Sequence, residues 1–161
     1  MMLETANKIL ENDTFRRKLE ELERLEKERK FCGHGLEHLL SVARITMLIC
    51  GERGIAAEPD IVYSAALLHD IGRVEEYTLG LPHDTEGAET AEQILHEVGC
   101  GKRKAERIIG MIRSHRSNDC KSDTLEAVFY EADKRSRMCS FCKAQDECNW
   151  PYEKRNVNLE V

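Results

Sequence analysis

The sequence predicts an all-α protein, a compact multi-helix bundle, and three observations carry that expectation. Its 161 residues include only three prolines, Pro59, Pro82 and Pro151, so long stretches lack the residue that breaks helices. Apolar residues recur at spacings of three and four in segment after segment. No run alternates apolar and polar residues between turn signals, so no strand is placed.

Residues 2–31 read as a highly charged helix with a break at Asn12-Asp13. Between Glu11 and Lys30 seven acids are matched by seven bases. Phe15, Leu19, Leu22 and Leu25 make one narrow apolar stripe that lays the helix over the domain. A coiled-coil or homodimer helix is the alternative, with three heptads too few to choose. Gly33 and Gly35 interrupt the pattern. A second helix over about 36–50 carries Leu36, Leu39, Leu40, Ala43 and Met47 on one side, and Gly51–Gly54 ends it. Pro59 suits the first turn of a third helix, about 59–71. That helix is apolar nearly all round, through Ile61, Val62, Ala65, Ala66, Leu67, Leu68 and Ile71, and is therefore central. A loop with Gly72, Gly80 and Pro82 follows. Thr85 is the expected cap of a helix to Val98. Gly99-Cys100-Gly101 separates it from a helix over 102–114. Ser122 or Asp123 caps a last helix to about Met138, and a polar, cysteine-rich tail begins at Cys139.

One domain is expected at this length. It comprises the charged helix (1–31), a helical core (32–138) and the tail (139–161). With 41% apolar residues the chain can bury a real core, and the composition of disorder is absent. A net charge of −6 argues against wholesale binding to nucleic acid. The N-terminus lacks the basic start and apolar run of a secretory signal, and the longest apolar stretch, Ile45–Cys50, is far too short to span a membrane. A cytoplasmic protein is the expectation. Its seven cysteines then favour metal binding over disulfides.

Several polar residues fall on apolar faces. His38 lies in line with Val42, Ile45 and Ile49. His69 and Asp70 close the central helix, His115 continues the row Ala105, Ile108, Ile112, and Asp133 continues Leu125 and Phe129. Each alone reads as a hydrogen-bonded core residue. Burying imidazole or carboxylate without partners costs several kcal/mol, however, and one shared divalent cation satisfies them all.

These residues resemble the HD-domain metal-dependent phosphohydrolases over about Cys32 to Arg137. The string Ala65-Ala66-Leu67-Leu68-His69-Asp70-Ile71-Gly72-Arg73 is similar to the segment that names the superfamily. His83 before Gly87-Ala88, Ile112-Arg113-Ser114-His115, and Glu131-Ala132-Asp133 extend the match. The resemblance implies metal ligation by His38, His69, Asp70, His83, His115 and Asp133. It further implies two divalent ions (Fe, Mn, Co, Mg, Ni or Zn) bridged by Asp70. A metal-generated hydroxide would then attack phosphorus. Two positions depart from the pattern. Arg73 stands where many members have lysine, which keeps the charge in a planar fork. Gly35 stands where an acid is common. Asp70 and Arg73 are the expected catalytic residues. Glu75, Glu76 and Asp84 are weaker candidates to orient water.

The expected substrate is a small phosphorylated molecule, a nucleotide above all. A non-catalytic metal or nucleotide sensor, with the cysteines as a redox or zinc switch, is the alternative. His34-Gly35-Leu36-Glu37-His38 also spells H-x-x-E-H, a protease pattern. Its glycines oppose the helix that motif needs, so His34 is read as a loop residue or one backing His38. Lys102–Lys121 holds seven bases and two acids, a net of +5 that could draw a polyanion towards His115. Cys139-x2-Cys142-x5-Cys148, with Cys32 as the best fourth ligand, is a candidate second, structural site for zinc or an iron–sulfur cluster.

Overall fold

The computed structural model describes residues 2–114 and 123–159. Among them there are eight α helices, three single-turn 3₁₀ helices and no strand, so the protein is all-α. The helices are α1 (Glu4–Glu11), α2 (Asp13–Glu26), α3 (Leu36–Arg53), α4 (Pro59–Leu68), α5 (Arg73–Leu79), α6 (His83–Glu97), α7 (Lys102–Ser114) and α8 (Leu125–Arg135). No helix is long and apolar enough to cross a membrane among the described residues.

Helix α4 is the axis of the core, as its all-round apolarity requires. It packs on α3, α1 and α7, while α3 also packs on α8 and α6 joins α5 to α7. Seven of its ten residues are buried. The charged N-terminal segment does break at Asn12, because the Asn12 side chain leaves the helix and accepts the Phe15 N–H at 2.8 Å. Phe15 and Leu22 are buried in the chain's own core, so the stripe lays α2 over the domain. The start of α1 is pinned by Asp60 at the head of α4, which accepts N–H groups from Thr5 (3.1 Å) and Ala6 (3.0 Å).

Several boundaries differ from expectation. Helix α2 ends at Glu26 rather than at residue 31, and the turn that follows carries Cys32 and His34 to the site. Helix α4 stops at Leu68, three residues short of 71, and the next turns tighten to i→i+3 bonds at Ile71 and Arg73. The expected loop after Gly72 holds α5, closed by Gly80 in the left-handed conformation (φ 72°). Its seven residues bury only Val74, too little apolar signal for periodicity to register. Helix α6 starts two residues before Thr85, which places His83 in its first turn. Thr124, not Ser122 or Asp123, caps α8 by accepting the Ala127 N–H at 3.2 Å. Gly72 and Gly87 let the α4–α5 turn and α6 meet backbone to backbone. That contact brings His83 up to Asp70.

Candidate metal centre

Three segments deliver four ligand-type side chains to one point. His38 comes from the first turn of α3, His69 and Asp70 from the turn closing α4, and Asp133 from the last turn of α8. All four are buried, and their donor atoms lie within 4.8 Å of one another. Asp70 Oδ2 is 3.0 Å from His69 Nε2 and 3.3 Å from His38 Nε2. Asp133 Oδ1 stands 3.3 Å from His38 Nε2 and 3.7 Å from His69 Nε2.

The outer nitrogens are fixed so that the inner ones face the carboxylates. His69 Nδ1 sits 2.8 Å from the Ala66 carbonyl, to which its N–H donates. Ser136 spends its own hydroxyl proton on the Asp133 carbonyl (2.7 Å), so at 3.0 Å it accepts from His38 Nδ1. The Arg137 guanidinium also reaches His38 Nε2, at 3.1 Å. Lys134 holds the outer oxygen of Asp133 at 2.7 Å.

Burial alone would push both carboxyls towards neutrality. The imidazoles of His69 and His38 outweigh it, and Asp70 and Asp133 titrate well below the usual carboxylate range. Burial would likewise lower His69, but Asp70 and then Asp133 raise it to about 10. Two buried carboxylates against two imidazoles leave a demand for positive charge. Here protonated His69 meets it, and a divalent cation fits the same donor set. The residues present thus suit a metal.

Beyond these four, the expected ligands stand differently. His83 Nε2 lies 3.8 Å from Asp70 Oδ1, and its Nδ1 is 3.0 Å from Glu76 Oε2. Burial and then Arg73 push the His83 imidazole below its ordinary value. Arg73 donates through Nε to the same Asp70 Oδ1 at 2.7 Å and reaches Glu76 at 3.2 Å. It therefore occupies the Asp70 oxygen that faces His83. His115 lies outside the described residues. Glu75 turns away to Lys18, and neither it nor Asp84 lines the cavity beside the centre.

That cavity has a volume of about 700 Å³. Among the described residues its cations are Arg29, Arg73, Lys134, Arg137 and Arg155, and none of Lys102, Arg103, Lys104, Arg107 and Arg113 lines it. Arg116 and Lys121 of the predicted run lie outside the described residues. Within that run Lys104 pairs with Asp60, Arg107 with Glu58 and Arg113 with Glu92, and Lys102–Lys104 line a different groove. Three of the bases are thus paired with acids distant in sequence, at the head of α4 and on α6.

His34 does stand behind His38, but sequence reasoning missed its partners Glu26 and Tyr77. His34 is buried edge-on to His38, with ring centroids 5.7 Å apart. Glu26 accepts the His34 backbone N–H at 2.7 Å, meets His34 Nδ1, and accepts the Tyr77 hydroxyl proton at 2.8 Å. Burial pushes His34 down further than Glu26 lifts it. No spacing rule joins residues 26, 34 and 77. The only hint was a histidine between two glycines ahead of His38. Cys32, Cys139, Cys142 and Cys148 line the same cavity, and none of them belongs to the group of convergent ligand atoms at the centre.

Comparison with known proteins agrees with this geometry. The HD domain family matches residues 35–138. An uncharacterized protein of Clostridium beijerinckii is 40% identical over 157 residues, 98% of this chain and 99% of its own. Ribonuclease Y of Thermoanaerobacter pseudethanolicus is 34% identical over 97 residues, 60% of this chain and 17% of the relative. Ribonuclease Y of Clostridium kluyveri is 30% identical over 147 residues, 81% of this chain and 26% of the relative. The chain thus spans about a quarter or less of these two ribonucleases, and no solved structure matches it significantly. With the family match covering most of the chain and its buried histidines and aspartates converging, this protein belongs to the HD domain family, within the metal-dependent phosphohydrolase superfamily.

Proposed function

We propose that the protein hydrolyses a phosphoester or phosphoanhydride of a small, nucleotide-sized phosphorylated molecule, using a divalent cation held by His38, His69, Asp70 and Asp133. The observation that carries this reading is the placement of those ligands beside a cavity of about 700 Å³ lined, among the described residues, by five basic side chains. Small-molecule sites span roughly 300–1,000 Å³, so one nucleotide fits.

When bound, the cation supplies Lewis acidity and makes water a nucleophile near neutral pH. The chain's own residues do the rest. Arg73 and Arg137, already aimed at Asp70 and His38, lie where a phosphoryl group would enter, and their guanidinium donors stabilise charge building on its oxygens. Arg29 and Arg155 hold more distal phosphates. Glu76 fixes both Arg73 and His83, and Glu26 fixes His34 beside the centre.

The test is phosphate release from a panel of nucleotides with Mn²⁺, Fe²⁺, Co²⁺ or Mg²⁺, for wild type and Asp133→Ala. A short RNA belongs beside the panel, because two relatives are named ribonuclease Y. Its cleavage is followed by fragment length, since cutting an internal phosphodiester frees no phosphate. The expected result is turnover of a small nucleotide, reduced on the order of 10³-fold by the substitution. Faster cleavage of RNA overturns the substrate class. Tight metal binding with no turnover of any compound replaces the enzyme by a metal or nucleotide sensor.

A further inference from the structure

The cavity beside the metal centre has aromatic lining that the proposed reaction does not use. Two segments distant in sequence supply it, the turn after α2 and the tail beyond α8. Lys30 of the turn meets Glu147 of the tail, and the Arg137 guanidinium donates to the Gly33 carbonyl. The two segments are therefore tied into one wall, and each brings an aromatic side chain to the cavity, Phe31 and Trp150.

Neither ring belongs to the apolar core. Phe15 and Phe129 are buried there, whereas Phe31 is 40% exposed on a turn of charged and small residues. Trp150 is half-buried. Aromatic rings bury large areas when a fold uses them for stability, so two rings left open at a cavity need another reason. Both are carried on pinned backbone. Arg29 donates through Nε to the Cys32 carbonyl at 3.0 Å, next to Phe31. Arg155 donates to the carbonyls of Trp150 (2.9 Å) and Cys148 (3.1 Å). Each aromatic residue is thus fastened beside a guanidinium that lines the same cavity.

Hydrogen bonds order these groups outward from the centre. Arg137 reaches His38 Nε2 at 3.1 Å and the Gly33 carbonyl with its other nitrogen, so one guanidinium separates a metal ligand from the turn that bears Phe31. Ligand-type residues, then arginines, then aromatic rings match the parts of a nucleoside phosphate in order. Its base offers a flat π face, which stacks on aromatic side chains whatever the base. Asn149 lines the cavity beside Trp150, and its amide carries both a donor and an acceptor, as the edge of a base does. A sugar phosphate or a polyphosphate leaves the rings unused. We propose that Phe31 and Trp150 form a nucleobase subsite, which makes the substrate a nucleoside phosphate. This assignment rests on the reading of the cavity as a substrate site, and binding measured without turnover separates the two.

Trp150 is the chain's single tryptophan, so its fluorescence reports on the subsite directly. The full chain is titrated with the four nucleoside triphosphates and with inorganic tripolyphosphate, in EDTA so that no cation supports turnover. The expected result is saturable quenching by at least one nucleotide below about 1 mM, the upper end of usual KM values. Tripolyphosphate displaces that nucleotide without quenching. Phe31→Ala raises the nucleotide Kd at least about tenfold and the tripolyphosphate Kd less than about twofold. Trp150→Ala does the same by equilibrium dialysis. Phe31 is exposed, so its variant keeps wild-type helicity by circular dichroism even if Trp150→Ala misfolds. Phe141→Ala changes neither Kd, because Phe141 is 84% exposed and does not line the cavity. No quenching by any of the four nucleotides overturns the proposal. So does equal quenching by tripolyphosphate, a nucleotide Kd unchanged in both variants, or variants that weaken both ligands alike. Base-dependent quenching with no turnover in the metal panel keeps the subsite and removes the hydrolase. Turnover without such quenching removes the subsite and keeps the hydrolase.

Discussion

Two glycines at one helix crossing should respond oppositely to the same added methyl group. Gly72 has an ordinary right-handed backbone (φ −76°, ψ −4°), so alanine there meets no conformational penalty. Its Cβ, however, would stand 2.2 Å from the His83 carbonyl oxygen, 2.3 Å from Gly87 N and 2.8 Å from Gly87 Cα. All three are backbone atoms, so no side chain can rotate aside, and α6 must retreat by about 1 Å. Overpacking costs about 1–3 kcal/mol where side chains can adjust, and a clash with backbone belongs at the top of that range. At about 2–4 °C per kcal/mol for a chain of this size, Gly72→Ala should lower Tm by about 6–12 °C. Gly87 is the contrast. A Cβ there meets Gly72 N at 3.4 Å and the His69 carbonyl oxygen at 3.7 Å, ordinary van der Waals contact. Its site is inside a helix, where alanine is favoured by ~0.8–1 kcal/mol. Gly87→Ala should leave Tm unchanged or raise it by up to about 4 °C. Thermal unfolding by circular dichroism measures both. A Gly72→Ala shift smaller than about 2 °C, or a Gly87→Ala loss as large as that of Gly72→Ala, would refute the close-approach argument.

Other consequences follow from the centre and from the helix anchor. Arg73→Ala frees Asp70 Oδ1, so a Mn²⁺ titration followed by calorimetry should show a second equivalent binding at least tenfold tighter than in wild type; identical isotherms would remove Arg73 as a competitor. Saturating Mn²⁺ at about 100 times its Kd should stabilise wild type by about 2.7 kcal/mol, or roughly 5–11 °C, and leave Asp133→Ala nearly unmoved; equal shifts in both would place the ion elsewhere. Burial would raise the Asp60 carboxyl, but the Ala6 N–H, Lys104 and Thr5 together hold it below its ordinary value. Its contribution is therefore full above the unfolded pKa of about 3.9 and is lost as pH falls through the lower folded value. Asp60→Asn should cost about 1–2 kcal/mol at pH 7 by urea unfolding, with the gap to wild type closing in acid; a gap that persists undiminished below that range contradicts the charge argument.

Much of the fold was legible because helix periodicity is a local property. Helices α3, α4, α6, α7 and α8 show their apolar faces within a few turns, and α7 was placed at 102–114, where it stands. His38, His69, Asp70 and Asp133 were legible for the same reason, since each interrupts an apolar face with a group that burial penalises unless it is partnered. Helix α5 was not, because its seven residues turn only Val74 into the core. The cations of the cavity were hidden in the same way. Arg29, Arg137 and Arg155 look like solvated surface residues until the turn after α2 and the tail fold against the centre.

The amino-acid order by itself determined the fold class, the central helix and the four buried ligand-type residues. Each follows from spacing along one helix or from the cost of putting a polar group on an apolar stripe. Tertiary structure alone decided which charges face the cavity. It turned Lys104 and Arg107 onto Asp60 and Glu58 at the head of α4 and Arg113 onto Glu92 of α6, set Arg73 on Asp70, and buried His34 on Glu26, whose other partner is Tyr77. Charged side chains are long and indifferent to helical phase. Their partners are chosen by packing between distant segments, and no local pattern records that choice.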